Sequence, residues 1–134
     1  MNSRQTPLGP NPTDEDLQAL LQEYLFGEEG SDEQVLAFMD AIDLVSDAPE
    51  DCWRLIQLAA QTDLTIEQIA VFAAGAVEDL LGARGADFID RFEIAARTQL
   101  GMRPFVACVW RGQMSQAVWG RVLALREELD IKPL

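Results

Sequence analysis

Nine consecutive residues, Ile69 to Val77, carry no polar side chain, and nothing in the chain around them alternates with the period of a strand. A helix apolar on every side is stable only where neighbours cover it, so this stretch predicts a buried helix at the centre of a helical packing. Thr65 and Gln68 stand at capping-box spacing ahead of it, and Gly82 and Gly85 bracket its end, which places the central helix near residues 65–82. The small residues Ala70, Ala73, Ala74, Gly75 and Ala76 would let neighbouring helices approach closely. The charge-free stretch from Gln68 to Val77 is only about half of what crosses a bilayer, so no membrane span is expected.

The other helices announce themselves by caps and spacing. Thr13 with Asp16 begins a first helix whose Leu17, Leu20, Leu21, Tyr24 and Leu25 share one face, and Gly27 and Gly30 close it. Ser31 with Gln34 reads as a capping box for a second, in which Val35, Phe38, Met39, Ile42 and Val45 continue at helical spacing. Asp47, Pro49 and Glu50 mark the start of a third helix, in which Arg54, Gln57 and Gln61 leave one narrow polar stripe. A fifth helix from about Ala86 to Thr98 turns Phe88, Ile89, Phe92, Ala95 and Ala96 inward. A short segment around Pro104 to Trp110 and a last helix opened by Ser115, with Val118, Trp119, Val122, Leu123 and Leu129, complete the chain.

No fixed internal repeat is evident. The expectation is an all-α fold, a compact bundle of six or seven helices, with residues 1–12 as a flexible lead punctuated by Pro7, Pro10 and Pro12, and 13–134 as a single domain. That lead lacks the basic start and apolar stretch of an export signal. Cys52 and Cys108 both lie among apolar residues, where a thiol behaves as a small buried hydrophobe. Together these features lead us to expect a reducing cytoplasm.

The formal charge of -13 is unevenly spread. Residues 1–51 hold thirteen acids against the single base Arg4, whereas residues 84–134 hold eight bases against six acids. Such a field repels nucleic acid and anionic membrane, whose binding depends on clustered cations, and favours a basic protein partner. Surplus acid also serves solubility alone.

Chemistry is sparsely provided. The chain has no histidine, and Lys132 is its one lysine, so serine and cysteine nucleophiles lack their usual activating base and no histidine-based metal site exists. No catalytic residue, no metal ligand and no cofactor are expected. Carboxylates remain: Asp87, Asp90 and Glu93 are three residues apart, and Glu28, Glu29, Asp32 and Glu33 loosely resemble the EExxE beginnings of all-helical, magnesium-dependent nucleotide hydrolases. In a chain with 23 acids, solvated faces and helix-start acids account for such spacings more simply. Glu78 and Asp79, at the end of an apolar helix, should pair with Arg84 or Arg91, because an unpaired acid at a core border is costly. Trp53, Trp110 and Trp119, each set among apolar residues, are expected in the core.

The stretches AAGAVEDLL (Ala73 to Leu81), FIDRFE (Phe88 to Glu93) and VW (Val109, Trp110) resemble a family of small bacterial proteins classed as a domain of unknown function, which carries an AGPLEDLL, IDR and VW pattern in the same order. The resemblance covers roughly Asp47 to Arg121. Ala76 stands where the family pattern has proline, and Val77 where it has leucine. The resemblance implies no activity, and it directs attention to a polar cluster of Glu78, Asp79, Asp90, Arg91 and Glu93, as a buried network or a recognition edge.

The resulting expectation is an acidic protein-binding module, of the immunity or inhibitor kind, that occludes a basic, nucleic-acid-acting partner. Glu28, Glu29, Asp32, Glu33, Asp40 and Asp43 would meet the partner's cations, with apolar anchors near Tyr24, Phe26 or Phe38. The alternative is a carboxylate- and magnesium-dependent nucleotide hydrolase.

Overall fold

The computed structural model describes residues 8–133. Among them the chain forms seven α-helices and no strand: α1 (Asp14–Phe26), α2 (Asp32–Asp47), α3 (Pro49–Ala60), α4 (Ile66–Phe72), α5 (Glu78–Thr98), α6 (Arg103–Cys108) and α7 (Gln116–Glu128). A π-turn, Ala73–Val77, joins α4 to α5, and a 3-10 turn, Leu100–Met102, precedes α6. The all-α bundle read from the sequence is the fold. No helix among the described residues is long and apolar enough to cross a membrane.

Local chemistry starts most of these helices where the sequence places them. Thr13 Oγ1 accepts the Asp16 N–H at 3.1 Å while the Asp16 carboxylate accepts the Thr13 N–H at 2.9 Å, and Thr65 and Gln68 close the same reciprocal box on α4. Ser115 Oγ accepts the Val118 N–H at 3.1 Å to start α7. At α2 only half the box forms. Ser31 Oγ accepts the Gln34 N–H, but Gln34 turns its side chain back, accepting from the Gly30 N–H at 2.8 Å and donating to the Tyr24 carbonyl at 3.2 Å. The side chain therefore ties the turn to α1. Asp47, expected to open the third helix, is the last residue of α2, and α3 starts at Pro49 from Ala48 without a side-chain cap.

The central run breaks its helical geometry where its end is expected: between Gly82 and Gly85, Arg84 leaves the helical region (φ −132°, ψ 29°), and two helices meet there at a kink with no loop between them. The two glycines also serve close packing. A Cβ on Gly85 would come within 2.8 Å of Val118 Cγ2, and one on Gly82 within 3.2 Å of Gln113 Cβ. The apolar stretch, by contrast with expectation, is not covered on all sides. Phe72, Ala73, Ala76 and Val77 are buried, whereas Ala70, Val71 and Ala74 face outward.

The core is led by four fully buried phenylalanines, Phe72, Phe88, Phe92 and Phe105. Phe72 is its hub, with ring centroids 5.9 Å from Tyr24 of α1 and 5.4 Å from Phe105 of α6. Arginines of the last third hold the helices together. Arg126 donates to the Val106 and Val109 carbonyls at 2.9 and 2.6 Å, where α6 ends and its dipole favours a cation. Arg97 grips Glu128 with two bonds at 2.7 and 2.8 Å, joining α5 to α7. At the other end, Pro12 is buried, its carbonyl accepts from Arg54 at 2.9 Å, and Leu8 packs on the core, so the stretch expected as a loose lead is held at its C-terminal end. The rest of that expectation, residues 1–7, lies outside the described residues.

Candidate protein-binding surface

α2 carries two apolar sets, and the fold buries the smaller one. Ala37, Ala41, Leu44 and Val45 face the core, where the two alanines let α1 come close. Of the apolar residues that the sequence sets at helical spacing, Val35, Phe38, Met39 and Ile42 are 48, 41, 53 and 39% exposed, and only Val45 is buried. Their spacing of i, i+3, i+4 and i+7 makes them a single outward stripe. Val71 on α4, 53% exposed, faces outward beside it. A contiguous apolar stripe of this kind on a monomer's surface marks a place where something else packs.

Two hollows lie along the stripe, both between α2 and the α4–α5 run. One is lined by Glu29, Gln34, Val35 and Phe38 on one side and by Glu67, Gln68 and Val71 on the other. The second is lined by Ile42, Val45 and Ser46, facing Glu78, Asp79 and Gly82. Between them Phe38 stands edge-on over Tyr24, with ring centroids 5.6 Å apart and planes at 87°, above the bare backbone of Gly75. A Cβ on Gly75 would fall 2.4 Å from the Tyr24 hydroxyl, so only glycine fits this turn of the π-segment.

Tyr24, proposed from the sequence as a surface anchor, is buried; Phe26 and Phe38 are exposed as an anchor requires. The Tyr24 hydroxyl has no hydrogen-bond partner among the described residues, and burial, with the Asp79 charge next and the Cys52 thiol after it, pushes its pKa up to about 12. An unpartnered buried hydroxyl costs about 1–3 kcal/mol. Tyr24→Phe is therefore expected to raise stability by about 1–2 kcal/mol, reversing the usual penalty for losing a buried tyrosine hydroxyl. A thermal melt in which the variant unfolds at a lower temperature than wild type would contradict this.

The expected acidic face divides in two. Glu28 and Glu29 are exposed in the turn before α2, and Asp32 and Glu33 occupy its first turn, where the helix dipole favours them. Asp40 and Asp43 point to the other flank, into a hollow shared with Asp47, Asp51 and residues 8–11.

The polar cluster of Glu78, Asp79, Asp90, Arg91 and Glu93 does not assemble. Glu78 and Arg91 lie on opposite sides of the kink at Arg84, and the two halves of the set take different partners. Arg91 pairs with Glu50 of α3 at 2.6 Å and lies over the Phe88 ring, while Asp90 and Glu93 both bind Arg121 of α7. No arginine pairs with Glu78 or Asp79 among the described residues, against the expectation of Arg84 or Arg91. Glu78 accepts the Trp110 main-chain N–H at 3.3 Å, and partial burial holds the Asp79 carboxyl above its ordinary pKa.

Trp110 is itself a correction: the residue is 67% exposed, whereas Trp53 is buried and Trp119 half-buried under Arg126. Val109, next to it, is in the core, so the VW pair straddles the surface. Among the described residues, no three acids or cysteines gather as ligands for one metal ion. Val71, Gly75 and Trp110 were not singled out as surface residues by the sequence, since apolar neighbours on either side read as core.

The sequence matches a family described as "Family of unknown function (DUF6869)" over residues 27–129, and the chain belongs to that family. Both walls of the surface, α2 and the α4–α5 run, lie inside the matched region; α1, which supplies Tyr24 beneath it, lies outside. No curated protein and no solved structure matches the chain.

Proposed function

We propose that this member of the family is a binding module for a basic protein, of the immunity or inhibitor kind, which covers a nucleic-acid-acting partner and holds it inactive. The observation that carries the reading is the exposed stripe of Val35, Phe38, Met39 and Ile42, set beside Glu78 and Asp79, acids that no arginine among the described residues neutralises. The surplus negative charge of -13 steers a cationic partner towards the molecule, and desolvation of the stripe then fixes it. Steering charges act mainly on the association rate, buried apolar contacts on dissociation. Arginines of the last third are engaged in internal bonds from Arg97, Arg121 and Arg126, which leaves the acidic flank to dominate the approach.

The test is affinity capture from native cell extract at low and high salt, with wild type beside a variant in which Glu28, Glu29, Asp32 and Glu33 are replaced by their amides. A basic protein retained by wild type at low salt, released by salt and poorly retained by the variant is the expected result. Identical eluates from the two proteins, insensitive to salt, would show the reading to be wrong.

A further inference from the structure

We infer that the trough between α2 and the α4–α5 run receives one amphipathic α-helix of a basic partner, an inference that rests on the protein-binding reading above. The two walls run side by side in chain order: Val35 and Phe38 lie opposite Val71 and Gly75, and Ile42 and Ser46 opposite Glu78 to Gly82. From Gln34 to Ser46 the trough spans thirteen residues of α2, about 18 Å between the end residues, which is the length of a helix of three to four turns. Two helices side by side offer a groove into which the ridge of a third fits.

The chemistry of the walls specifies the occupant. Val35, Phe38, Ile42 and Val71 line the hollows and Met39 continues the stripe, which calls for apolar anchors at helical spacing on the partner. Glu29 and Glu67 stand at one end, Glu78 and Asp79 at the other, and among the described residues no arginine or lysine lines either hollow. The flanks of the incoming helix therefore carry arginine or lysine at both ends. Tyr24 floors the middle, and its buried, unpartnered hydroxyl falls in this trough. The π-turn at Ala73–Val77 forms the wall at the same level, with Gly75 keeping it bare.

The experiment uses two labelled peptides of identical leucine and lysine composition, one with leucines at i, i+3, i+4 and i+7 and one scrambled so that no apolar stripe forms. Fluorescence anisotropy with the full chain is expected to show the amphipathic peptide binding at least about tenfold tighter than the scrambled one. Met39→Asp and Ile42→Ser each weaken that binding by about tenfold. For Met39→Asp the loss comes despite an added negative charge, which sets apolar contact apart from simple attraction. Ile94→Asp, exposed on the later half of α5, adds the same charge and leaves the affinity unchanged. Both side chains on α2 are outward, and circular dichroism melts confirm that the variants stay folded. Equal binding of the two peptides, or indifference to Met39→Asp, overturns the groove and leaves a charge-driven binding module standing. Failure of both peptides to bind at low salt overturns the binding reading with it.

Discussion

Truncating Phe72 to alanine is expected to lower stability by about 3–5 kcal/mol, the cost of a large aromatic lost from a core that cannot close over the gap. Phe72 is wholly buried at the last residue of α4, directly before the π-turn, and its ring touches both Tyr24 and Phe105. Its removal leaves α1, α4 and α6 without their common contact. Small domains have roughly 5–15 kcal/mol in total, so the variant should lie near the edge of folding at physiological temperature. Urea unfolding followed by circular dichroism measures this as a lower midpoint at unchanged slope. A loss below about 1 kcal/mol would mean that neighbouring helices collapse into the space, and that the hub role assigned to Phe72 is wrong.

The second large effect is on alkaline pH. Burial, with the Asp79 charge behind it, pushes the Cys52 thiol up to about 12 from its ordinary 9.0, and the Tyr24 phenol up to about 12 from 10.0. In each case the folded chain keeps a proton that the unfolded chain gives up. Their contribution to stability is therefore complete below pH 9 and falls as pH rises towards 12. By pH 11 the two groups together lower stability by about 4 kcal/mol, the thiol supplying the larger part.

Melting temperature should consequently hold through mild alkali and drop steeply beyond it. Tyr24→Phe removes about a third of that drop. Tyr24 is the chain's one tyrosine, so its tyrosinate absorbance follows the phenol directly and should appear together with unfolding. Ionisation of the phenol at its ordinary pH in a still-folded chain would contradict the buried placement.

The features legible in the sequence were those that depend on neighbours along the chain. Thr13 with Asp16, and Thr65 with Gln68, fixed two helix starts because a cap bonds only to backbone three residues away. The inward faces of α1 and of the later half of α5 were also legible, since each has one apolar stripe and no competing one. Which face of helix 2 is inward was not legible, for the opposite reason. Val35, Phe38, Met39 and Ile42 form the larger apolar set, yet Ala37 and Ala41 face the core. Gly82 and Gly85 bracket a kink at Arg84 and a close crossing as well, since a glycine's absent side chain suits both.

Taken by itself, the sequence determined the helical class, most of the caps and the lopsided charge, because periodicity, capping and composition are properties of the chain alone. Only the tertiary structure decided which stripe of α2 meets α1, that the helices on either side of Arg84 meet at a kink with no loop between them, and that Asp90 and Glu93 go to Arg121 while Glu78 and Asp79 pair with no arginine among the described residues. Those outcomes depend on volume and distance between segments remote in sequence. A buried alanine stripe lets two helices come closer than a phenylalanine stripe could, so the packing, not hydrophobicity alone, turned the larger residues to the surface.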